Sequence, residues 1–148
     1  VQKFYDRQTA IHCAKYFQVD INRSQQSEFL IFNGHKSHND EIILEAQLFM
    51  ENNYQVKISI EDLSIKLGLS RRNFDRRFIK ATNLRPFDYL QRLKVEAAKK
   101  AFENSRKSVS EVMYDVGYND TKAFREVFVR ITGITPIAYK EKYNIDLQ

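Results

Sequence analysis

The chain has 148 residues, 43% of them hydrophobic, and a formal net charge of +5, which suits one domain, or one with a fragment of another, and excludes a disordered tail. Four glycines and two prolines are too few for a sandwich of many short strands, and they predict a helical protein. The single cysteine, Cys13, excludes an internal disulfide framework, and no apolar run approaches the roughly 20 residues of a membrane span, so no membrane partner is expected.

The first 38 residues differ from the rest. Apolar residues recur at helical spacings near the start, which predicts a helix over about residues 2–17. Residues 22–27 are polar and loop-like, the apolar run 29–32 has no pattern that assigns it to a helix or a strand, and residues 37–40 form a linker. Because the sequence begins at Val1 rather than at a methionine, we expect it to be cut from a longer chain.

A helix is predicted next, opened by acidic and polar residues as the helix dipole prefers. Its core face would be formed by Ile42, Ile43, Ala46, Phe49 and Met50. We expect it to pack on the segment that follows.

An internal repeat organises the remaining chain. The first halves of the two copies match at an offset of 49 residues and the second halves at 50. In register are Gly68 with Gly117, Phe74 with Phe124, Phe78 with Phe128, Thr82 with Thr132, Pro86 with Pro136, and Tyr89 with Tyr139. Chance is unlikely to supply such residue types in register, so the sequence predicts two copies of one structural unit.

Each copy is expected to form two helices around a tight turn. Ser59 with Asp62, and Ser108 with Glu111, are capping boxes or close variants at the start of the first helix. The glycine of each copy follows where that helix must end, which predicts a positive φ, and Ser70 and Asp120 can cap the second helix. The short connection forces a sharp crossing, which is the helix-turn-helix plan.

A long helix is predicted between the copies, starting at Pro86. Its apolar stripe would be Phe87, Leu90, Leu93, Ala97, Ala101 and Phe102. At about 1.5 Å per residue, residues 86–103 span roughly 27 Å. This helix could therefore hold the second helices of the two units, which would be the reading helices that enter the DNA, about one DNA turn apart, near 34 Å. A short closing helix is predicted over residues 137–143. The predicted fold class is all-α, with about seven helices in residues 39–148.

The charge is unevenly distributed. Residues 71–107 hold twelve Lys/Arg and four Asp/Glu, a net charge of +8, and the other residues sum to −3. A basic segment in a slightly acidic chain is typical of a site for a polyanion. The charge alone also allows a solvated, lysine-rich helix face.

The sequences LSIKLGLSRRNFDRRFIKAT and SVSEVMYDVGYNDTKAFREVFVRITGITPIAYKEKY carry a resemblance. Through them, residues 40–143 resemble the AraC/XylS-type transcription regulators. The resemblance implies seven helices, a rigid linking helix and sequence-specific binding of double-stranded promoter DNA in the bacterial cytoplasm, with RNA polymerase as a further contact. Four positions depart from the family pattern: Ser64, Asn83, Met113 and Glu126.

The segment AKYFQVDINRSQQSEF resembles the tail of an amidotransferase-like (ThiJ/PfpI type) domain, which precedes such a DNA-binding unit in one branch of the family. Residues 1–38 are therefore expected to be the remnant of an N-terminal sensor domain. A homodimer through that domain is a further expectation.

The candidate DNA-contacting residues follow from the repeat and the resemblance. With Phe74 and Phe78 facing inward, the expected base contacts of the first unit are Arg72, Asn73, Asp75 and Arg76, and those of the second are Thr121, Lys122, Ala123 and Arg125. Asp75 could instead orient a neighbouring arginine. Expected phosphate contacts are Arg71, Arg77, Arg106, Lys107 and Ser108, with an ion pair as the alternative for Arg71 and Arg77. We expect the first unit to supply most base specificity.

Other chemistry is not expected. His35 and His38 are spaced like a metal pair, with Asp40 close by, but they lack a third strong ligand in helical register. His12 and Cys13 are adjacent, so their side chains would diverge on a helix rather than form a nucleophile–base pair. Neither GxGxxG nor GxxxxGK[ST] occurs. No cofactor and no enzyme activity are expected; the alternative function is a protein-interaction module that uses the basic helices and residues 1–38.

Overall fold

The structure, a computed structural model, describes residues 36–145. The chain divides into two compact units, residues 1–37 and residues 38–148. The helix predicted over residues 2–17, the polar loop, the apolar run and the candidate residues His12, Cys13 and His35 lie outside the described residues. Residues 38–145 are helical and contain no strands, which confirms the all-α fold class.

Seven helices follow one another between residues 38 and 145: α1 Glu41–Asn53, α2 Ile60–Lys66, α3 Arg71–Thr82, α4 Pro86–Asn104, α5 Val109–Asp115, α6 Thr121–Thr132 and α7 Pro136–Tyr143. Helices α2 and α3 form the first helix-turn-helix unit, and α5 and α6 form the second. The 19-residue helix α4 joins them. The predicted tandem arrangement is therefore confirmed.

Side-chain caps start the helices of both units. The hydroxyl of Ser108 accepts a hydrogen bond from the Glu111 N–H at 3.1 Å, and the Glu111 carboxylate accepts one from the Ser108 N–H at 2.8 Å, which makes a complete capping box. Ser59 accepts from the N–H of Asp62, and Ser70 caps α3 in the same way. Such a cap is worth about 1 kcal/mol, so the sequence sets where α2, α3 and α5 begin.

The turns within the two units have the predicted backbone. Gly68 has φ +78° and Gly117 has φ +95°, in the left-handed region where a side chain is strained. The N–H groups of Leu69 and Tyr118 return to the carbonyls five residues earlier, at 2.9 and 3.0 Å. These bonds satisfy carbonyls at the helix end and turn the chain into the next helix.

Helix α4 lies between the two units. It packs against α3 on one side and against α5, α6 and α7 on the other. The second core, which is that of the second helix-turn-helix unit, includes residues of α4, α5, α6 and α7 and the C-cap of α5: Val95, Ala98, Phe102, Val112, Met113, Val116, Phe124, Phe128 and Tyr139. Met113, one of the departures from the family pattern, is buried in this core. The two units thus share one structural element, and each core needs α4 to be complete.

The apolar stripe predicted for α4 is wrong at its first residue. Phe87 is 54% exposed, although it lies seven residues before the buried Lys94 and therefore on nearly the same face. Tyr89, Val95 and Ala98, which the prediction omitted, are fully buried. Helical periodicity predicts a face but not which of its positions the neighbouring helices cover, and Phe87 lies outside that cover although Pro86 and Tyr89 in the same turn are buried.

The repeat extends to hydrogen bonds. Thr82 and Thr132 each donate through Oγ1 to the carbonyl four residues earlier, at 2.8 Å. Each hydroxyl also accepts the N–H two residues later, from Leu84 or Ile134. A threonine in this position closes the second helix of each unit, and the two units are therefore equivalent in this polar contact.

Candidate nucleic-acid interface

The helices α3 and α6 bury equivalent pairs of phenylalanines. On α3 the rings of Phe74 and Phe78 are buried, with centroids 5.7 Å apart. On α6 the rings of Phe124 and Phe128 are buried, with centroids 5.8 Å apart. Because each pair is four residues apart and faces inward, the basic and polar residues of both helices are left on the opposite face.

The start of α3 carries an arginine cluster with internal partners. Arg72 is exposed. Arg76 is exposed and donates a hydrogen bond to the side-chain oxygen of Asn73. Asp75 accepts from Nε of Arg71 at 3.0 Å, and Arg71 also lies 3.8 Å from a carboxylate oxygen of Glu61. In this structure Asp75 therefore orients Arg71, which is one of the two roles the sequence left open.

Arg77 is engaged away from the exposed face of α3. Its guanidinium donates two hydrogen bonds to the carboxylate of Asp40, at 3.0 and 2.7 Å. Asp40 also caps α1 by accepting the N–H of Ile43. Of the two alternatives for Arg77, the structure shows the ion pair, which joins the start of α1 to the middle of α3.

The environment of Asp40 favours its ionised form. Burial opposes the charge, but the hydrogen bond from Arg77, the N–H of Ile43 and the nearby positive charge outweigh it, so the pKa of Asp40 is lowered. The carboxylate is therefore ionised throughout the range in which its free form would be.

We expect Asp40→Asn to lower the free energy of unfolding by about 1–2 kcal/mol at pH 7. Asparagine can still cap α1, so the change isolates the charge pairing with Arg77. Since the folded pKa is lowered, the contribution is present above the ordinary carboxyl pKa of 3.8 and is lost as the pH falls through the folded pKa. Urea unfolding of both proteins from pH 7 to pH 2.5 measures this; a difference that stayed constant down to pH 2.5 would contradict it.

The start of α6 is less basic. Thr121, Lys122 and Arg125 are exposed, whereas Ala123 is half-buried. Asp120 caps the helix through the N–H of Lys122 at 3.1 Å. Glu126 is also exposed and corresponds to Arg76 in the repeat, so α6 has an acidic group where α3 has an arginine.

The segment before α5 is partly engaged within the domain. Lys107 lies 2.6 Å from the carboxylate of Asp115, and this hydrogen bond raises the pKa of Lys107. Both polar groups of Ser108 belong to the capping box described above. Arg106 is exposed. A phosphate bound here by Lys107 or Ser108 would have to compete with these contacts.

One polar residue that the sequence reading missed is Lys94. It lies within the apolar face of α4 and is buried. The available signal was its spacing, since residues 90, 94 and 98 fall on one side of a helix. Residue type alone predicts an exposed position for Lys94, because lysines are usually exposed.

Two further classes of site were tested within residues 36–145. No group of three His, Cys, Asp or Glu side chains there is arranged to hold a metal ion. His38 instead donates through Nε2 to the side-chain oxygen of Gln47 at 2.8 Å and accepts the N–H of Asp40 at Nδ1. None of the helices in this range has the length and apolar content to cross a membrane.

A family model described as a helix-turn-helix domain matches residues 63–142. The chain belongs to this family. It is of the AraC/XylS type, a family of DNA-binding domains of transcription regulators and not an enzyme class. The predicted resemblance of residues 40–143 is thereby confirmed.

Three similar proteins support this assignment. An uncharacterised HTH-type transcriptional regulator of Pseudoalteromonas carrageenovora is 33% identical over 106 residues, which cover 72% of this chain and 63% of that protein. The DNA-binding domain of the global transcriptional factor AdpA, solved in complex with a target DNA, is 32% identical and covers 68% of this chain and 91% of that chain, with a TM-score of 0.65. The C-terminal domain of the response regulator yesN from Fusobacterium nucleatum is 27% identical over 69% of this chain and 100% of that chain, also with a TM-score of 0.65. The chain spans less than two thirds of the length of the first curated relatives it matches.

Proposed function

We propose that this chain is the DNA-reading part of a transcription regulator, and that α3 and α6 enter two successive major-groove segments of a promoter. The observation that carries the proposal is that α3 and α6 each bury two phenylalanines on one face and expose basic side chains on the opposite face. A DNA-bound relative with the same fold supports it. Binding of this kind requires no cofactor and no catalysis.

Within this proposal, α3 supplies most of the base specificity. Arg72 and the pair formed by Asn73 and Arg76 meet base edges, since arginine can bind guanine through two hydrogen bonds and asparagine can do the same with adenine. Arg71, held by Asp75, is placed for a phosphate. The net charge of +8 over residues 71–107 supplies the attraction to the DNA backbone that does not depend on sequence.

Helix α6 contributes mainly affinity. Thr121, Lys122 and Arg125 are its expected contacts, with Ala123 able to touch a thymine methyl. Glu126 on the exposed face opposes close approach to phosphates. Arg106 and Lys107, with the N–H groups at the start of α5, add backbone contacts that position the domain without reading sequence.

Arg72→Ala tests the assignment of base contacts. We expect a loss of about 1–3 kcal/mol in binding to a duplex selected by the unaltered chain, and relaxed preference at one base position. Fluorescence anisotropy against a panel with each base substituted in turn measures both. Lys57→Ala is the control, because Lys57 is exposed, carries the same charge and lies outside α3 and α6. An equal loss across all sequences would make Arg72 a phosphate contact.

Residues 1–38 support a finer proposal. From their resemblance to the tail of an amidotransferase-like domain, we propose that the chain belongs to the branch with that N-terminal sensor, acts in the cytoplasm and dimerises through the sensor. RNA polymerase is the proposed further partner. The coding sequence upstream of Val1 tests the first part, since any other kind of domain there would contradict it. Light scattering with and without residues 1–38 tests self-association.

A further inference from the structure

Lys94 makes an unusual contact for a lysine. It is buried, with 8% of its surface exposed. Its ammonium group donates hydrogen bonds to the carbonyl of Tyr54, which caps the end of α1, and to the carbonyl of Val116, which caps the end of α5, the second at 3.1 Å. Because carbonyls at the C-terminal end of a helix carry partial negative charge, one cation is bound by two helix ends at once.

These two helix ends belong to different halves of the molecule. Helix α1 packs on α3 of the first unit, and α5 is the first helix of the second unit. The side chain of Tyr54 also packs against the second core. The ring of Tyr118, in the turn that leads into α6, has its centroid 5.6 Å from Nζ of Lys94. The ammonium therefore sits at a junction of the two units, beside the turn that orients the second reading helix.

The backbone segments at this junction are also closely packed against each other. A Cβ placed on Gly117 would lie 2.8 Å from the carbonyl oxygen of Gln55, just past the end of α1, and 2.8 Å from Nζ of Lys94. At the matching residue of the first unit, Gly68, a Cβ would meet nothing within 4 Å. The close approach is thus a property of the junction between the units and not of the helix-turn-helix plan itself.

The contact is costly to form. Burial disfavours a charged ammonium and lowers the pKa of Lys94. An apolar residue at this position would avoid the desolvation, as replacements of buried charges often do. What an apolar residue cannot do is bind two specific carbonyls, and such directional contacts hold two elements in one relative position.

We propose that Lys94 locks the second helix-turn-helix unit onto the end of α1 and thereby sets the distance and angle between the reading helices α3 and α6. The lock rests on the proposed function where it concerns DNA: one base pair inserted between two contacted segments moves them apart by about 3.4 Å and rotates one by about 35° around the duplex. A locked pair of helices tolerates such a change poorly, and Lys94 therefore determines which spacing of segments is bound.

The first experiment measures, without DNA, the distance between the two helix-turn-helix units. Nitroxide labels at Ile65→Cys and Tyr114→Cys, in a Cys13→Ser background, report the distance between exposed and equivalent positions of α2 and α5. Pulsed electron paramagnetic resonance should give one narrow peak in the distribution of label-to-label distances for the parent chain. In Lys94→Met the peak should broaden, or shift by more than its original width, because methionine keeps the apolar stem but binds neither carbonyl.

Lys99→Met is the matched control. It removes the same charge from the same helix, where Lys99 pairs with Glu96 at 3.2 Å, and it should leave the peak unchanged. Lys94→Gln is a second neutral variant should Lys94→Met fail to fold, as judged by circular dichroism and urea unfolding. A narrow, unshifted peak in a folded Lys94 variant overturns the lock.

The second experiment measures spacing on DNA. On a duplex selected by the parent chain, an inserted base pair between the two contacted segments should weaken parent binding about 10–100-fold, and binding of Lys94→Met by less than about threefold. If the insertion weakens binding of both proteins equally, by about 10-fold or more, the lock is overturned. If the distance peak broadens in Lys94→Met while the parent tolerates the insertion, the lock stands, and the proposal that both helices read successive segments fails.

Discussion

Phe128→Ala should lower the free energy of unfolding by about 3–5 kcal/mol. Phe128 is fully buried in the second core. Its ring contacts those of Phe102 on α4, Phe124 on α6 and Tyr139 on α7, with centroid distances of 5.8, 5.8 and 5.6 Å. Removing it leaves a cavity where three helices meet, and aromatic pairs add to the loss beyond the buried area.

Phe87→Ala is the control for this change. It removes the same atoms from the same protein, but Phe87 is more than half exposed, so we expect a change within about 0.5 kcal/mol. Urea unfolding followed by circular dichroism measures both variants. A cost for Phe87→Ala comparable to that for Phe128→Ala would mean that the Phe87 ring is covered in solution. A small cost for Phe128→Ala would mean that the second core repacks around the cavity.

The second large effect is expected for Gly117→Ala. Alanine at a left-handed position costs about 1–2 kcal/mol, and here its Cβ would also lie 2.8 Å from the carbonyl oxygen of Gln55, closer than such atoms pack. Relief requires the second unit to move away from α1, which adds about 1–3 kcal/mol. We therefore expect a total loss of about 2–5 kcal/mol.

Gly68→Ala separates the two causes. Gly68 has a similar backbone, with φ +78° against +95°, but open space where the Cβ would be. It should lose only the strain, about 1–2 kcal/mol. The difference between the two glycine variants in urea unfolding therefore measures the packing at the junction. Equal losses would show that the second unit shifts away from α1 at little cost.

Much of this domain is readable from local sequence. Capping residues such as Ser70 and Ser108, the turn residues Gly68 and Gly117, and the repeated spacing of Phe74 with Phe78 act within one helix or one turn. Their physical requirements are met by neighbours in the chain, so the sequence alone determines the number of helices, their order and the division into two units. It also determines which residues of α3 and α6 can face outward, because only the face opposite the buried phenylalanines remains open to solvent.

The tertiary structure decided what depends on distant neighbours. The exposure of Phe87 follows from how far the other helices reach along α4, and the pairing of Arg77 follows from the position of α1 beside α3. Both are contacts between residues far apart in sequence, which periodicity does not encode. Lys94 shows the same limit most clearly: its sequence neighbours predict a residue on an apolar face, and only the folded chain brings two helix ends from different units to its ammonium group.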